Sequence, residues 1–203
     1  APALMVVGVF VFFAGCAPTI TTYSINLRYP AALVSPPPAR STSMTIGLQP
    51  FENLSSDKFT LAQRDTGSGT EIYVSLPRPV AEAFTEAAQN YLQERFHAVR
   101  PVSGWNNRPE TLSGLGSGID AVVTGQIKRL FCKAEKKFAR THLVIEGEVT
   151  FILGDITSAQ VITRPVKIRN ERTEIIFDQQ KLERFMNEAV ADLLQTGLER
   201  LHQ

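Results

Sequence analysis

His142-Leu-Val-Ile-Glu-Gly-Glu-Val-Thr-Phe-Ile-Leu153 places Leu143, Ile145, Gly147, Val149, Phe151 and Leu153 at every second position. A period of two is the mark of a strand with one buried face. The flanks continue the pattern. Upstream, Ile119 to Phe131 carries Ala121, Val123 and Ile127, and Lys133 to Arg140 reads as a charged turn. Downstream, Gly154-Asp-Ile-Thr-Ser158 is a turn. Ala159 to Ile168 then sets Val161, Thr163, Pro165 and Lys167 on one face and Ile162, Val166 and Ile168 on the other. Clean alternation between short turns predicts an antiparallel meander with one solvated face. Pro165 lacks a ladder donor and predicts an edge position or a bulge.

Two helical patterns flank this meander. Val80, Phe84, Ala87, Ala88, Tyr91, Leu92 and Phe96 recur at three- and four-residue intervals behind Pro77 and Pro79, which suit a helix start. Asp178 is a natural N-cap for a closing helix. Its stripe is Leu182, Phe185, Met186, Ala189, Val190, Leu193, Leu194, Leu198 and Leu201. The fold class expected is therefore α+β: a mainly antiparallel sheet packed against two amphipathic helices as a two-layer sandwich. Met44, Ile46 and Leu48 predict one further strand, Glu71 to Leu76 a second and His97 to Val102 a third. Residues 58–70 read as a polar loop, and Asn106 to Gly118 as a breaker-rich connection.

The other end of the chain has a different character. Leu4 to Ala14 is an uncharged apolar run broken only by Gly8, closing on Phe13-Ala-Gly-Cys16. It is shorter than the roughly 20 apolar residues a spanning helix needs, and it suits the apolar core of a secretory signal, about 7–15 residues long. Ala14-Gly15 before Cys16 resembles the lipobox of bacterial lipoproteins. That resemblance implies cleavage before Cys16 and acylation of its thiol, with several acyl chains giving stable anchoring. The expected organisation is a signal peptide over 1–15, an acylated N-terminus and Pro-rich tether over 16–43, and one α+β domain over 44–203. Pro36-Pro-Pro38 favours an extended spacer within that tether. Tyr23, Ile25 and Leu27 alternate, so this piece either adds as an edge strand or stays loose.

Composition narrows the function classes. Of 203 residues, 21 are Lys or Arg and 20 Asp or Glu, a net charge of +1 with no large basic block, so nucleic acid is not an expected partner. With Cys16 acylated, Cys132 has no intramolecular disulfide partner; it reads as a small buried hydrophobe. His97, His142 and His202 lack metal-ligand spacing. Gly114-Leu-Gly-Ser-Gly118 precedes a strand rather than a helix, so it is no phosphate cradle. Glu146 and Glu148 share one strand face as surface charges. No nucleophile or P-loop motif is present, and neither a cofactor nor a metal is implied. Two stretches invite a partner. Trp105 is either a core plug or an exposed docking anchor. Lys133, Lys136, Lys137 and Arg140 are either a solvated turn or a contact for anionic headgroups or an acidic protein.

Taken together, the lipobox, the Pro-rich stretch and four further segments resemble small Gram-negative envelope lipoproteins of the YajG-like type. Those segments are the strand Thr45-Ile-Gly-Leu-Gln-Pro-Phe51, the helix ending Tyr91-Leu-Gln-Glu-Arg-Phe96, the stretch Asp120 to Phe131 and the closing helix. They are similar also to auxiliary lipoproteins of ABC-type transport systems. Asn53-Leu-Ser-Ser56 resembles the start of TolB-like or CsgG-like modules. The resemblance implies a non-enzymatic accessory role in an envelope complex, in lipid transport or outer-membrane maintenance, with an envelope protein partner and a lipid as candidate ligand. Ala17, where Asp would signal inner-membrane retention in enteric bacteria, implies the periplasmic side of the outer membrane, with the inner membrane as the alternative. A structural subunit of a secretion, polysaccharide-export or flagellar assembly is the alternative class, and a hydrolase with an unrecognised site a third.

Overall fold

The sheet is organised by one strand, Ala121–Lys137. In the computed structural model, which describes residues 19–30 and 42–202, the strands in chain order are β1 Thr19–Ile25, β2 Thr42–Leu48, β3 Glu52–Asn53, β4 Thr60–Asp65, β5 Gly69–Ser75, β6 Phe96–Pro101, β7 Ala121–Lys137, β8 Arg140–Asp155 and β9 Gln160–Glu174. The helices are α1 Val80–Gln93 and α2 Gln179–Leu198, with 3₁₀ turns at Pro109–Gly114 and Glu199–His202. Along one edge β7 takes three parallel partners in succession: β2 beside 121–123, β3 beside 126–127 and β4 beside 132–135. Along its other edge it runs antiparallel to β8, from Ala121↔Asp155 to Lys137↔Arg140. Beyond β2 lies β6, beyond β4 lie β5 and then β1, and beyond β8 lies β9.

The expected meander is therefore present as β7–β8–β9, but it is one half of a curled, mixed sheet rather than the whole of it. The parallel half escaped the sequence because periodicity reports which face is buried, not which neighbour a strand takes or in which direction. Residues 58–70 correct a second expectation. They form β4 and its hairpin with β5, and Leu61 and Ala62 are buried.

Phase along β7 depends on a bulge between Ile127 and Arg129. Before it, Ala121, Val123 and Ile127 face the main core; after it, Leu130, Cys132 and Ala134 do. The extra residue shifts the alternation from odd to even numbers. A slip of that kind without a bulge would turn every later side chain to the wrong face.

Both helices bury their stripes against the sheet. Asp178 caps α2, its carboxylate accepting from the Lys181 N–H at 2.8 Å. Leu182, Phe185, Met186, Ala189, Val190, Leu193, Leu194 and Leu198 are all buried. Phe51 meets Phe84 and Phe151 edge-on between α1 and β8, and the three ring centroids lie 5.0 to 6.5 Å apart. α1 stops at Gln93, and Phe96 reaches the core from β6 instead of the helix. The opposite face of the sheet is not uniformly solvated. Segment 102–120 folds over it at the β2–β6 end, where Trp105 and Leu112 pack on Val122 and Ile152.

The N-terminal stretch is the largest departure. Part of the expected 16–43 tether belongs to the body. β1 joins β5 in parallel, and Ile25, Leu27 and Tyr29 are buried. Residues 26–30 strap across α2. The Arg28 N–H donates to Asn187 Oδ1 at 2.8 Å, and Asn187 Nδ2 donates to the Asn26 carbonyl at 3.2 Å. The Pro-rich residues 31–41 lie outside the described residues, as do residues 1–18. By connectivity, 31–41 joins two parts of one body.

A close approach at Gly197 makes the packing testable. A Cβ there would sit 2.3 to 2.6 Å from atoms of the buried Phe151 ring. Gly197→Ala should lower stability by about 1–3 kcal/mol through overpacking, although Ala is the better helix former by about 1 kcal/mol. Leu194→Ala, which empties a buried site, should cost about 2–5 kcal/mol. Chemical denaturation midpoints at unchanged m-value check both.

Candidate functional site at the hairpin end of the sheet

The register aligns six strands at one end of the sheet. Ile20 on β1 sits opposite Thr70 on β5, Thr70 opposite Asp65 on β4, Asp65 opposite Glu135 on β7, Glu135 opposite His142 on β8, and His142 opposite Thr173 on β9. Beyond this row lie the β7–β8 turn at Phe138-Ala139, the connection Ile175-Ile176, and Thr19, the first described residue.

The turn spans only two residues between Lys137 and Arg140. Phe138 takes φ +54°, and its side chain is fully exposed. Glycine or asparagine is the usual choice at such a position; a bulky side chain there is a genuine outlier.

The basic residues around this tip divide into two kinds. Glu135 holds Lys133 at 2.7 Å and Lys137 at 3.8 Å. The Lys133 ammonium draws the Glu135 carboxyl below its ordinary range, and Glu135 raises Lys133 in return. Lys136 and Arg140 are exposed and have no ion pair among the described residues. The stretch 133–140 is thus mostly strand, with the turn confined to two residues. Phe138, Ile175, Ile176 and Ile20 escaped the sequence reading. The one available signal was an aromatic between Lys137 and Arg140 where a tight turn favours Gly.

The other candidates lie elsewhere. Trp105 is 3% exposed, so it plugs the second cluster and does not present an anchor to a partner. Its N–H donates to Gln49 Oε1 at 2.9 Å, Gln49 Nε2 returns a bond to the Trp105 carbonyl at 3.0 Å, and the indole N–H donates to the Arg108 carbonyl at 3.2 Å. Gly154 leaves the room: a Cβ there would lie 2.9 Å from the indole ring. Cys132 is buried in the main core, and burial pushes its thiol up to about 12. Cys16 and the side chain of His202 lie outside the described residues.

Polar clusters on the outer face are internally paired. Glu146 bonds Arg129 at 2.8 Å and Arg169 at 3.1 Å. Glu148 bonds Lys167 at 3.1 Å, and that hydrogen bond holds its carboxyl below the ordinary range. His142 lies 3.6 Å from Glu171 and 3.4 Å from Thr173, while His97 is exposed. A depression of about 400 Å³ opens beside the β7 bulge, between Asn53, Asp57 and Arg129. Asp57 is committed there to its own turn. It accepts from the N–H groups of Phe59 and Thr60 at 2.9 Å, and its bonds with Thr60 and Phe59 hold its carboxyl low. Among the described residues no three His, Cys, Asp or Glu side chains form a metal-binding group, and no helix is long and apolar enough to cross a membrane.

No family model and no curated protein matches the chain. Among solved structures it is similar to the DUF330 protein XCC0632 from Xanthomonas campestris, at 12% identity over 90% of this chain and 100% of that one, with a TM-score of 0.49. It is also similar to the lipoprotein GNA1162 from Neisseria meningitidis (15% identity, 75% and 99% covered, TM-score 0.38). A third similarity is to the PelC dodecamer from Paraburkholderia phytofirmans (14% identity, 78% and 91% covered, TM-score 0.39). Likeness at this level carries no function over to the present chain.

The two aromatics should respond oppositely to truncation. Trp105→Ala should cost about 3–5 kcal/mol, as expected for an emptied core site. Phe138→Gly should leave stability unchanged or raise it by about 1 kcal/mol, because it relieves a left-handed backbone. Thermal melts of the two variants check this. The Cys132 thiol should resist alkylation at mildly alkaline pH until the protein is unfolded.

Proposed function

We propose that the protein is a lipid-anchored, non-enzymatic accessory component of a Gram-negative envelope complex. It serves lipid transport or outer-membrane maintenance from the periplasmic side of the outer membrane. The observation that carries the reading is the apolar run Leu4 to Ala14 closing on Ala14-Gly15-Cys16, three residues before a folded body begins at β1. A thiol acylated at Cys16 fixes such a body to a membrane without a spanning helix. Ala17, in place of a retention Asp, supports the outer membrane. The accessory role is supported by the state of the reactive side chains. Cys132 is sealed and protonated, Asp57 caps a turn, and Glu146 and Glu148 are tied to cations.

Metabolic labelling with a fatty acid tests the anchor. The native chain should incorporate label, and Cys16→Ser should lose it and release the body from membranes. Undiminished labelling of the variant would overturn the anchor. Purification of the native chain from detergent-solubilised membranes tests the role. Stoichiometric recovery of an envelope lipid-transport protein is expected; recovery without any envelope component would overturn the accessory reading.

A further inference from the structure

Apolar side chains that stand fully in water need a reason, because exposure forgoes the stabilisation that burial gives. Four large hydrophobic side chains stand out: Phe138 at 101% exposure, Ile175 and Ile176 at 71% each, and Ile20 at 66%. Among the described residues no other large hydrophobic exceeds 49%. The aligned register puts all four at the same end of the sheet, although they come from three separate parts of the chain.

That end is also where the chain leaves toward Cys16. Thr19 pairs with Gly69 beside the β4–β5 turn. Two residues, Ala17 and Pro18, separate Thr19 from Cys16, and the three residue steps from one to the other reach at most about 11 Å. Any lipid on Cys16 is therefore held close to the β1 corner of this end. Three strand spacings separate β1 from β7 in the order β1-β5-β4-β7, about 14 Å laterally. The connection after β9 lies two strands further.

Charge follows the same geometry. Lys136 and Arg140 flank Phe138 without ion pairs among the described residues, and Lys133 and Lys137 share the single carboxylate of Glu135. Asp65 is the nearest opposing charge on the β4 side; it is bonded to Gln63 and Thr70. On the β9 side Glu174 is paired with Lys181, and Asp178 caps α2. An aromatic tip between free cations suits a bilayer interface, where apolar groups enter the acyl region and basic groups meet headgroup phosphates.

We propose that this end of the sheet rests on the lipid bilayer that holds Cys16, with Phe138 inserted below the headgroups, Ile175 and Ile176 beside it, and Ile20, about three residues further back along the strands, at the level of the headgroups. The surface deepens the anchoring reading and rests on it for the pull that seats the body. The left-handed backbone at Phe138 then has a function: it aims a ring outward from the tip of a two-residue turn. β7 rises from this surface for seventeen residues, about 55 Å, and carries the Trp105 segment at its far end.

The test uses the full acylated chain in vesicles of phosphatidylethanolamine and phosphatidylglycerol whose acyl chains are brominated, with Phe138→Trp as reporter. Bromine quenches only indoles that reach acyl depth. The native Trp105, sealed under Leu112, is the internal control. The proposal expects the emission that the reporter adds over the parent chain to fall at least twofold against vesicles of unbrominated lipid, while the emission of the parent chain is unchanged. It also expects Lys136→Glu with Arg140→Glu to weaken that quenching. Mass spectrometry of the same sample reads the acyl groups separately. Acylated protein without quenching overturns the seating and leaves the anchor standing. Quenching without acylation upholds the surface and overturns the anchor. Absence of both overturns both.

Discussion

Pairing of β7 with four other strands is the constraint on which the rest of the structure depends. Its far edge is satisfied continuously by β8, while its near edge is satisfied piecemeal by β2, β3 and β4. A buried strand cannot leave its N–H and C=O groups unpaired without cost, and the chain from 45 to 65 meets that need by running along β7 three times, each time parallel to it. The bulge at Ile127–Arg129 falls between the second and third of these partners. It re-phases the spine so that Ile127 on one side of the break and Leu130 on the other turn to the same core.

The meander and both helices were legible because their signals are long. β8 alternates over a dozen residues, and α2 repeats its stripe over eight positions. β3, at two residues, is too short to leave a period, and in β4 the register shift between Thr60 and Ala62 leaves the adjacent Leu61 and Ala62 both buried, so no alternation shows. The direction of β2 relative to β7 leaves no mark in sequence at all. β1 illustrates a subtler limit. Tyr23, Ile25 and Leu27 alternate, but only contact with β5 and α2 distinguishes an edge strand from a loose tether. Phe96 shows how a helical period can run past its helix: it keeps the three-and-four spacing while belonging to β6.

The two aromatic candidates show what a sequence says about a site. Trp105 drew attention because it is the only tryptophan and lies among breakers, yet its environment is interior and reciprocally hydrogen-bonded to Gln49. Phe138 drew none, since one aromatic in a charged stretch is unremarked until the turn is known to be two residues long. Exposure and backbone hand are properties of the folded chain. They separate a plug from a protrusion, and composition does not.

The parallel seating of β1 has a mechanical side. Seven rows, from Thr19↔Gly69 to Ile25↔Ser75, join it to β5, and the following strap is bonded to Asn187 and Glu183 of α2. A tug on the chain from ahead of Thr19, along the strand, loads those rows in shear, so they resist as a group instead of opening one at a time like a zipper. The first strand is built as a strain-bearing lap joint, and a force arriving from the N-terminal side spreads into both the sheet and the helix layer before any single bond carries it alone.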